Sequence, residues 1–344
     1  MRDWAKIIWG WFNHRRLSCT REFSGYNMLV IVAKNKRIVM VKELMPRYIN
    51  LYRNKLLQHR AQEALGHLKN CELCPRRCRV DRTKGQMGKC KTGRHAIIAS
   101  YGPHFGEERP LTGVGGSGTI FFSSCNMRCV FCQNYEISQL REGKIASAEE
   151  LAQIMLSLQN MGCHNINLVS PSHIIAQVLE ALVIAAGMGL KIPLVYNSGG
   201  YDSALALKLL DGIVDVYMPD IKYMDEAIAK RLSGVSNYPQ TVKGAIKEMH
   251  RQVGDLVLNE RGIAISGLLV RHLVLPENLA GTKEAMGFLA HEISVNTYVN
   301  IMDQYYPCHK AFDIPLLNRR ISREEFKNAV EAAIEAGITR LDHR

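Results

Sequence analysis

The sequence predicts an α/β fold built on a parallel sheet, and three observations carry that expectation. From about residue 117, strand-like apolar runs alternate with helical patterns. The runs are apolar throughout, as strands covered on both faces are, whereas a half-exposed strand alternates. Polar residues gather where the runs end, the edge at which barrels and open parallel sheets alike bind ligands.

Taken in order, residues 1–44 read as an appendage or an upstream extension. In "WAKIIWGWF", Trp4, Ile7, Ile8, Trp11 and Phe12 fall at helical spacing before Arg15 and Arg16, the pattern of an interfacial helix. "MLVIVAKNKRIVMV" reads as two short strands around a Lys-Asn-Lys turn. Residues 45–112 open on "MPRYINLYRNKLLQHRAQEALGHL", an amphipathic helix, and continue into a cysteine-rich region. Residues 113–310 hold the alternating part, with strands at "TIFFS", "INLVS", "IPLVY", "IVDVYM", "GLLVRHLVL" and "TYVNIM". After the first strand comes "SAEELAQIMLSLQNMG", where Ser147 and Glu150 form a capping box and Gly162 suits the stop. "IIAQVLEALVIAAGMGL" carries Gln177 and Glu180 and reads as a core helix, too polar to cross a bilayer. In residues 311–344, "SREEFKNAVEAAIEAG" is a last amphipathic helix, capped by Ser322, with a packing role.

A chain of 344 residues, 47% hydrophobic and 22% charged, buries a large core without disulfides. Seven of its ten cysteines sit in two tight clusters. Without a secretory signal, clustered cysteines point to the reducing cytoplasm and to metal ligation. Plain buried thiols suit the isolated Cys19, Cys163 and Cys308. The net charge of +12 is uneven: residues 1–112 hold 23 Lys/Arg against 8 Asp/Glu, and the rest 21 against 24. A basic arm attracts nucleic acid, anionic lipid or an acidic protein. The absence of interleaved aromatics favours a solvated surface instead and argues against nucleic acid.

The polar strand ends are Ser170-Pro171-Ser172-His173, Asn197-Ser198-Gly199-Gly200, Pro219-Asp220-Ile221-Lys222, Arg271-His272 and Gln304-Tyr305-Tyr306. After the first strand stands "SSCNMRCVFCQN", with Cys125, Cys129 and Cys132 at C-x3-C-x2-C spacing. Clusters that only carry electrons normally take four cysteines, so three thiolates leave one iron of a [4Fe–4S] cube open for a ligand. Upstream, "CELCPRRCRVDRTKGQMGKC" supplies Cys71, Cys74, Cys78 and Cys90, a closed set of four, with Gly85 and Gly88 letting the chain turn back. Spacing leaves zinc and iron–sulfur both open there. The set lacks the Cys/His helix arrangement of a DNA reader. Arg76, Arg77, Arg79 and Arg82 would offset its charge or grip an acidic partner.

With Phe131 before its last cysteine, the triplet after the first strand resembles the radical S-adenosylmethionine enzymes over roughly residues 113–310. "CNMRCVFCQN" and the strand ends are further similar to activating enzymes of glycyl radical enzymes, in the pyruvate formate-lyase activating enzyme-like branch. The resemblance implies a partial (β/α)6, TIM-like barrel behind an N-terminal cysteine-rich extension. It implies that Cys125, Cys129 and Cys132 ligate a [4Fe–4S] cluster whose open iron holds S-adenosylmethionine. Reductive cleavage there yields methionine and a 5′-deoxyadenosyl radical that abstracts hydrogen. A flavodoxin- or ferredoxin-like electron donor and a glycyl radical protein are the partners implied.

The strand ends would bind the cofactor through Ser170, Ser172, Asn197, Ser198, Asp220, Lys222 and Gln304, with Arg271 forking onto the methionine carboxylate. A monovalent cation is expected on Asp220, Ser198 and Asn197. "SPSH" stands where the family has Gly-Gly-Glu, Asn197 where it has an acid, and Gln133-Asn134 where it has His-Asn. Two rivals stay open: radical modification of a small molecule, and a non-catalytic metal-binding adaptor. The adaptor has no need of the polar strand ends.

Overall fold

The computed structural model describes residues 26–32 and 38–342, with side chains from residue 45 onward. The chain forms two compact units, Met1–Met45 and Pro46–Arg344. In the first, β1 (Tyr26–Val32) and β2 (Ile38–Leu44) pair antiparallel, the hairpin expected around the Lys-Asn-Lys turn. The turn itself and the "WAKIIWGWF" helix expectation lie outside the described residues, as does Cys19.

The second unit is built on one sheet. Its strands are β3 (Ala96–His104), β4 (Ser117–Phe122), β5 (Lys144–Ala146), β6 (Ile166–Val169), β7 (Leu194–Ser198) and β8 (Val216–Pro219). They continue with β9 (Val257–Leu258), β10 (Ala264–Leu273), β11 (Tyr298–Met302) and β12 (Arg340–Leu341). The spatial order is β5-β3-β4-β6-β7-β8-β10-β11-β12, with β9 on the side of β10. From β4 to β12 every step is parallel, and β3 and β5 are antiparallel additions. The six strands expected from the apolar runs are β4, β6, β7, β8, β10 and β11. Each lies beside its predecessor, so the chain winds one way, as in a barrel. The described sheet ends at β5 and β12 and does not close on itself, as in a partial barrel.

Helices α1 (Arg47–Arg53), α2 (Leu56–Gly66), α3 (Ala148–Asn160), α4 (Ile175–Gly187) and α5 (Ala204–Leu210) are followed by α6 (Glu226–Ser233) and α7 (Tyr238–Val253). The series ends with α8 (Thr282–Phe288) and α9 (Arg323–Glu335). The capping boxes at Ser147–Glu150 and Ser322–Glu325 both form, and Gly162 adopts φ +88° beyond α3. Helix α4 buries Ile175, Val178, Leu179 and Leu182 completely or nearly so. Each such side chain contributes about 1.5–3 kcal/mol. Among the described residues, no helix is long and apolar enough to cross a membrane.

Three local expectations change. The single helix expected after Met45 is two, because Lys55 takes a left-handed φ of 62°. Both pieces pack on α4, and α1 is anchored further by Tyr48 Oη donating to Ile192 O at 3.0 Å. Strand β8 starts at Val216, not at Ile213. The carboxylate of Asp215 is used as an acceptor for the backbone N–H groups of Arg47 (2.9 Å) and Leu194 (2.8 Å). Of the isolated cysteines, Cys163 is buried but Cys308 is only half-buried.

Candidate functional site

The cysteine loop leaves β4 and is fixed from several sides. Ser124 and Arg128 have φ of 75° and 65°, which side-chain-bearing residues adopt only under constraint. The constraint is visible: Ser123 N–H donates to Ile97 O, Ser124 N–H to Ile137 O and Val130 N–H to Leu232 O, each at 2.8 Å. Lys310 N–H closes on Val130 O at 3.0 Å. Each sulfur has a neighbour able to hydrogen-bond it. Ser233 Oγ donates to Cys129 Sγ (2.9 Å), Ser138 Oγ meets Cys132 Sγ (3.2 Å), and Met127 N–H points at Cys125 Sγ (3.4 Å). Phe131 is wedged edge-on between Tyr223 and Tyr305, with ring centroids 6.2 and 6.0 Å away.

Burial, then the neighbouring Cys129, pushes the Cys132 thiol up to about 11, and the same causes raise Cys125. Metal binding must therefore displace protons from these sulfurs.

The three cysteines line a cavity of about 380 Å³, within the usual size range of small-molecule and cofactor sites. Every strand-end residue expected to bind the cofactor lines it too. Ser170 and Ser172 follow β6, Asn197 and Ser198 end β7, and Asp220 and Lys222 follow β8. Arg271 comes from β10 and Gln304 from just past β11. Gly200 makes the turn after β7 at φ +73°, where an added Cβ would sit 2.4 Å from Asp220 O.

Asp220 is the hub of the polar wall. Its Oδ1 accepts from Arg271 Nε at 2.8 Å and its Oδ2 from Lys222 Nζ at 2.6 Å. Burial alone would raise the Asp220 pKa, but the two cations outweigh it and hold the carboxyl below its ordinary value. For Lys222, burial works against the charge, and the carboxylate beside it reverses the shift upward.

Arg271 and Asn197 are joined as well, Nη2 donating to Asn197 Oδ1 at 2.7 Å. Beside them Ser198 Oγ donates to Asp202 Oδ2 at 2.6 Å. Asp220 is thus balanced by side chains.

Sequence reasoning missed two sets of acids. Asp202 is buried and also accepts from Tyr196 Oη at 2.7 Å, bracing the end of β7 from behind. Glu107 and Glu108 line the cavity from the segment assigned to the cysteine-rich region. Glu108 Oε1 accepts from Asn300 Nδ2 at 2.9 Å, while its buried Oε2 has no hydrogen-bond partner. The Glu-Glu pair was visible in sequence, but nothing local says that it folds back over the sheet.

The four upstream cysteines share a second, separate cavity, to which Arg82 and His173 also contribute. Cys71 N–H bonds Val80 O and Arg79 N–H bonds Cys71 O, closing the hairpin that carries the first three. Gly88 brings the returning chain close: an added Cβ would lie 2.7 Å from Cys78 Sγ. Of the four arginines expected to offset thiolate charge, only Arg82 lines the cavity. Arg79 pairs with Glu72 at the surface, 2.6 Å away. Arg76 reaches across to the other cysteine loop. It donates to Asn126 O (2.8 Å), Met127 O (3.2 Å), Ser233 O (3.1 Å) and Gly234 O (2.6 Å).

An open-sided three-thiol loop at the carboxyl end of a one-way parallel sheet defines a class, and the comparisons name it. The profile of the Radical SAM superfamily matches residues 119–289. The chain belongs to this superfamily, and so to enzymes that use a [4Fe–4S] cluster, S-adenosylmethionine and an electron donor.

It is 33% identical over 288 residues to the uncharacterized protein MJ0674 of Methanocaldococcus jannaschii, spanning 81% of this chain and 78% of that one. Among solved structures, it is similar to a radical SAM methyltransferase from Sphaerobacter thermophilus, with TM-score 0.44 and 15% identity over 66% of this chain and 65% of that one. Methylornithine synthase (PylB) gives a TM-score of 0.40 and 12% identity, over 86% and 82% of the two chains.

The donor set fits the family's cluster. Among the described residues, three thiols and no fourth cysteine line the larger cavity, and polar groups flank the side that a ligand would approach.

Proposed function

We propose that the protein cleaves S-adenosylmethionine reductively and uses the resulting 5′-deoxyadenosyl radical to take hydrogen from a substrate. The observation that carries the proposal is convergence: three thiols and the polar ends of five strands border one cavity. When bound, the cluster supplies the electron, and S-adenosylmethionine supplies the radical.

The protein's part is placement and exclusion. Cys125, Cys129 and Cys132 would hold the cluster, and Ser233, Ser138 and the Met127 amide, whose hydrogen bonds point at the sulfurs, would tune its potential. Phe131, Tyr223 and Tyr305 keep water from the face of the loop turned into the core. Ser170, Ser172, Asn197, Ser198 and Gln304 offer acceptors and donors to the amino acid and ribose portions. The Asp220–Lys222–Arg271 cluster keeps a fixed charge pattern opposite the thiols.

A flavodoxin- or ferredoxin-like protein is the electron donor in this reading. The described cysteines are all free thiols, which suits the reducing cytoplasm. The four-cysteine set is a metal site as well, zinc or iron–sulfur by its spacing.

As to the substrate, we infer a glycyl radical protein, on the likeness of "CNMRCVFCQN" and "MPDIK" to the activating enzymes. A small molecule is the second reading, favoured by Glu108, whose unpartnered carboxylate oxygen on the cavity wall would suit a cationic group. The test is anaerobic turnover of the reconstituted, reduced protein. The expected products are 5′-deoxyadenosine and methionine; a fully loaded, reduced protein that forms neither with candidate substrates present would leave the adaptor standing.

A further inference from the structure

We infer that the side of the Cys125–Cys132 loop turned away from the cavity is the docking surface of the electron donor, a small redox protein with an acidic face. The inference rests on the radical reading, because only that reading requires a donor.

The first observation is access. Once S-adenosylmethionine fills the cavity, a protein donor has to reach the thiols from the loop's other side. That side has its own neighbours. Val130 N–H donates to Leu232 O at 2.8 Å, and Val130 O accepts from Lys310 N–H at 3.0 Å. Tyr135, just past the loop, stacks on His309 with ring centroids 5.0 Å apart. Val130, Tyr135, His309 and Lys310 do not line the cavity.

The second observation is charge. Three stretches meet here: the loop of residues 123–134, residues 230–233 in the last turn of α6, and the turn His309–Asp313. They carry Arg128, Lys230, Arg231 and Lys310 against one acid, Asp313. All four cations are exposed, and among the described residues none has an ion pair or a side-chain hydrogen bond. The excess is local, since residues 113–344 as a whole hold 21 Lys/Arg against 24 Asp/Glu. Burial first, then Lys310 and Arg128, hold the His309 imidazole below its ordinary pKa, and Asp313 opposes them least. Lys230 and Arg231 also suit the C-terminal end of α6. Arg128, at its left-handed φ, lies on no helix. An acidic face laid over these cations would relieve their repulsion and be steered to them.

The third observation is the apolar area on the same segment as Lys310. Phe312 is 58% exposed and Tyr306 40%, with the Arg320 guanidinium 5.6 Å from the centre of the Tyr306 ring. Aromatic and arginine side chains of this kind are enriched in protein–protein contact surfaces. The neighbouring thiols, two of them half-exposed, select a redox protein over other anionic partners.

The test compares reductants on the reconstituted protein, with 5′-deoxyadenosine formation as the readout. Photoreduced deazaflavin needs no docking surface; reduced flavodoxin and an acidic ferredoxin do. Lys230→Glu/Lys310→Glu should raise the KM for both protein donors about tenfold and leave the deazaflavin rate unchanged. Added salt should raise the wild-type KM for the protein donors, and the variant's less. Lys191 precedes β7 and Lys208 lies in the last turn of α5, at the opposite ends of the strands. Lys191→Glu/Lys208→Glu therefore makes the same charge change away from the loop and should leave every rate near wild type.

An unchanged KM in the first variant, or an equal rise in the second, would overturn the inference. So would a wild type that accepts electrons from neither protein donor, or a first variant that also loses the deazaflavin rate. Should the charge reversal not fold, the wild type decides alone: a KM unmoved by salt overturns the docking surface. Failure of the radical reading looks different, since deazaflavin then yields no 5′-deoxyadenosine even with the wild type.

Discussion

The two cysteine loops are made from the same residue type at similar spacings, yet they face different surroundings. The loop at Cys125–Cys132 opens on a cavity of about 380 Å³ walled by strand ends, and two of its three thiols are half-exposed. The set at Cys71–Cys90 encloses a void of about 10 Å³, and three of its four thiols are buried. The first leaves space for a ligand beside its thiols; the second is closed around them. The number of ligands and the exposure of the loop thus separate a reacting centre from a closed one more clearly than spacing does.

Breaking the open loop has the largest expected effect. Cys129→Ala, like the same change at Cys125 or Cys132, should reduce S-adenosylmethionine cleavage to background, and measurable turnover in all three would end the assignment. Next comes the charge hub behind it. Asp220→Asn leaves Lys222 without its carboxylate and Arg271 with only Glu107 and Glu108, 3.8 and 4.0 Å away, and should cost about 3–5 kcal/mol in denaturant unfolding. A midpoint unmoved by this change would show that the cations find other partners.

The bridge between the loops ranks third. Arg76→Ala removes four hydrogen bonds to backbone carbonyls and should lower stability by about 2–3 kcal/mol. It should also speed loss of S-adenosylmethionine cleavage on standing; a loss rate equal to wild type would mean the loops act independently.

A pH effect belongs to the opposite end of the barrel, where burial lifts Asp215 to about 7. In the unfolded chain that carboxyl ionises near 4, so between about pH 4 and pH 7 the folded state binds more protons and stability falls as pH rises. Asp215→Asn should flatten that slope, and a slope left intact would point to another group. The smallest effect is at Ser322→Ala, about 1 kcal/mol from the lost cap of α9, with turnover untouched.

Much of this was legible in the chain itself, for a physical reason. Period, capping and turn chemistry are local, so six parallel strands, the Ser147–Glu150 capping box, the cap at Ser322 and the β1–β2 hairpin could be read from short stretches. Strand ends in a parallel sheet share one edge by topology, which is why Ser170, Asn197, Asp220 and Gln304 meet although far apart in sequence. What resisted reading depends on contacts across the fold. Lys55 breaks a helix that its neighbours would continue, at a left-handed turn from which both α1 and α2 pack on α4. Arg76 and Arg82 look alike in "CPRRCRVDR", and only the packing sends one to the neighbouring loop and the other into the thiol void. Nor can sequence show that Arg271 reaches both Asp220 and Asn197 from a third strand.

Arg76 also ties together two stretches that are distant in sequence: from between Cys74 and Cys78 its guanidinium holds the carbonyls of Asn126 and Met127 in place. A disturbance of the upstream loop would slacken that grip, so damage in a place remote from the chemistry would surface as failure to keep the reactive metal.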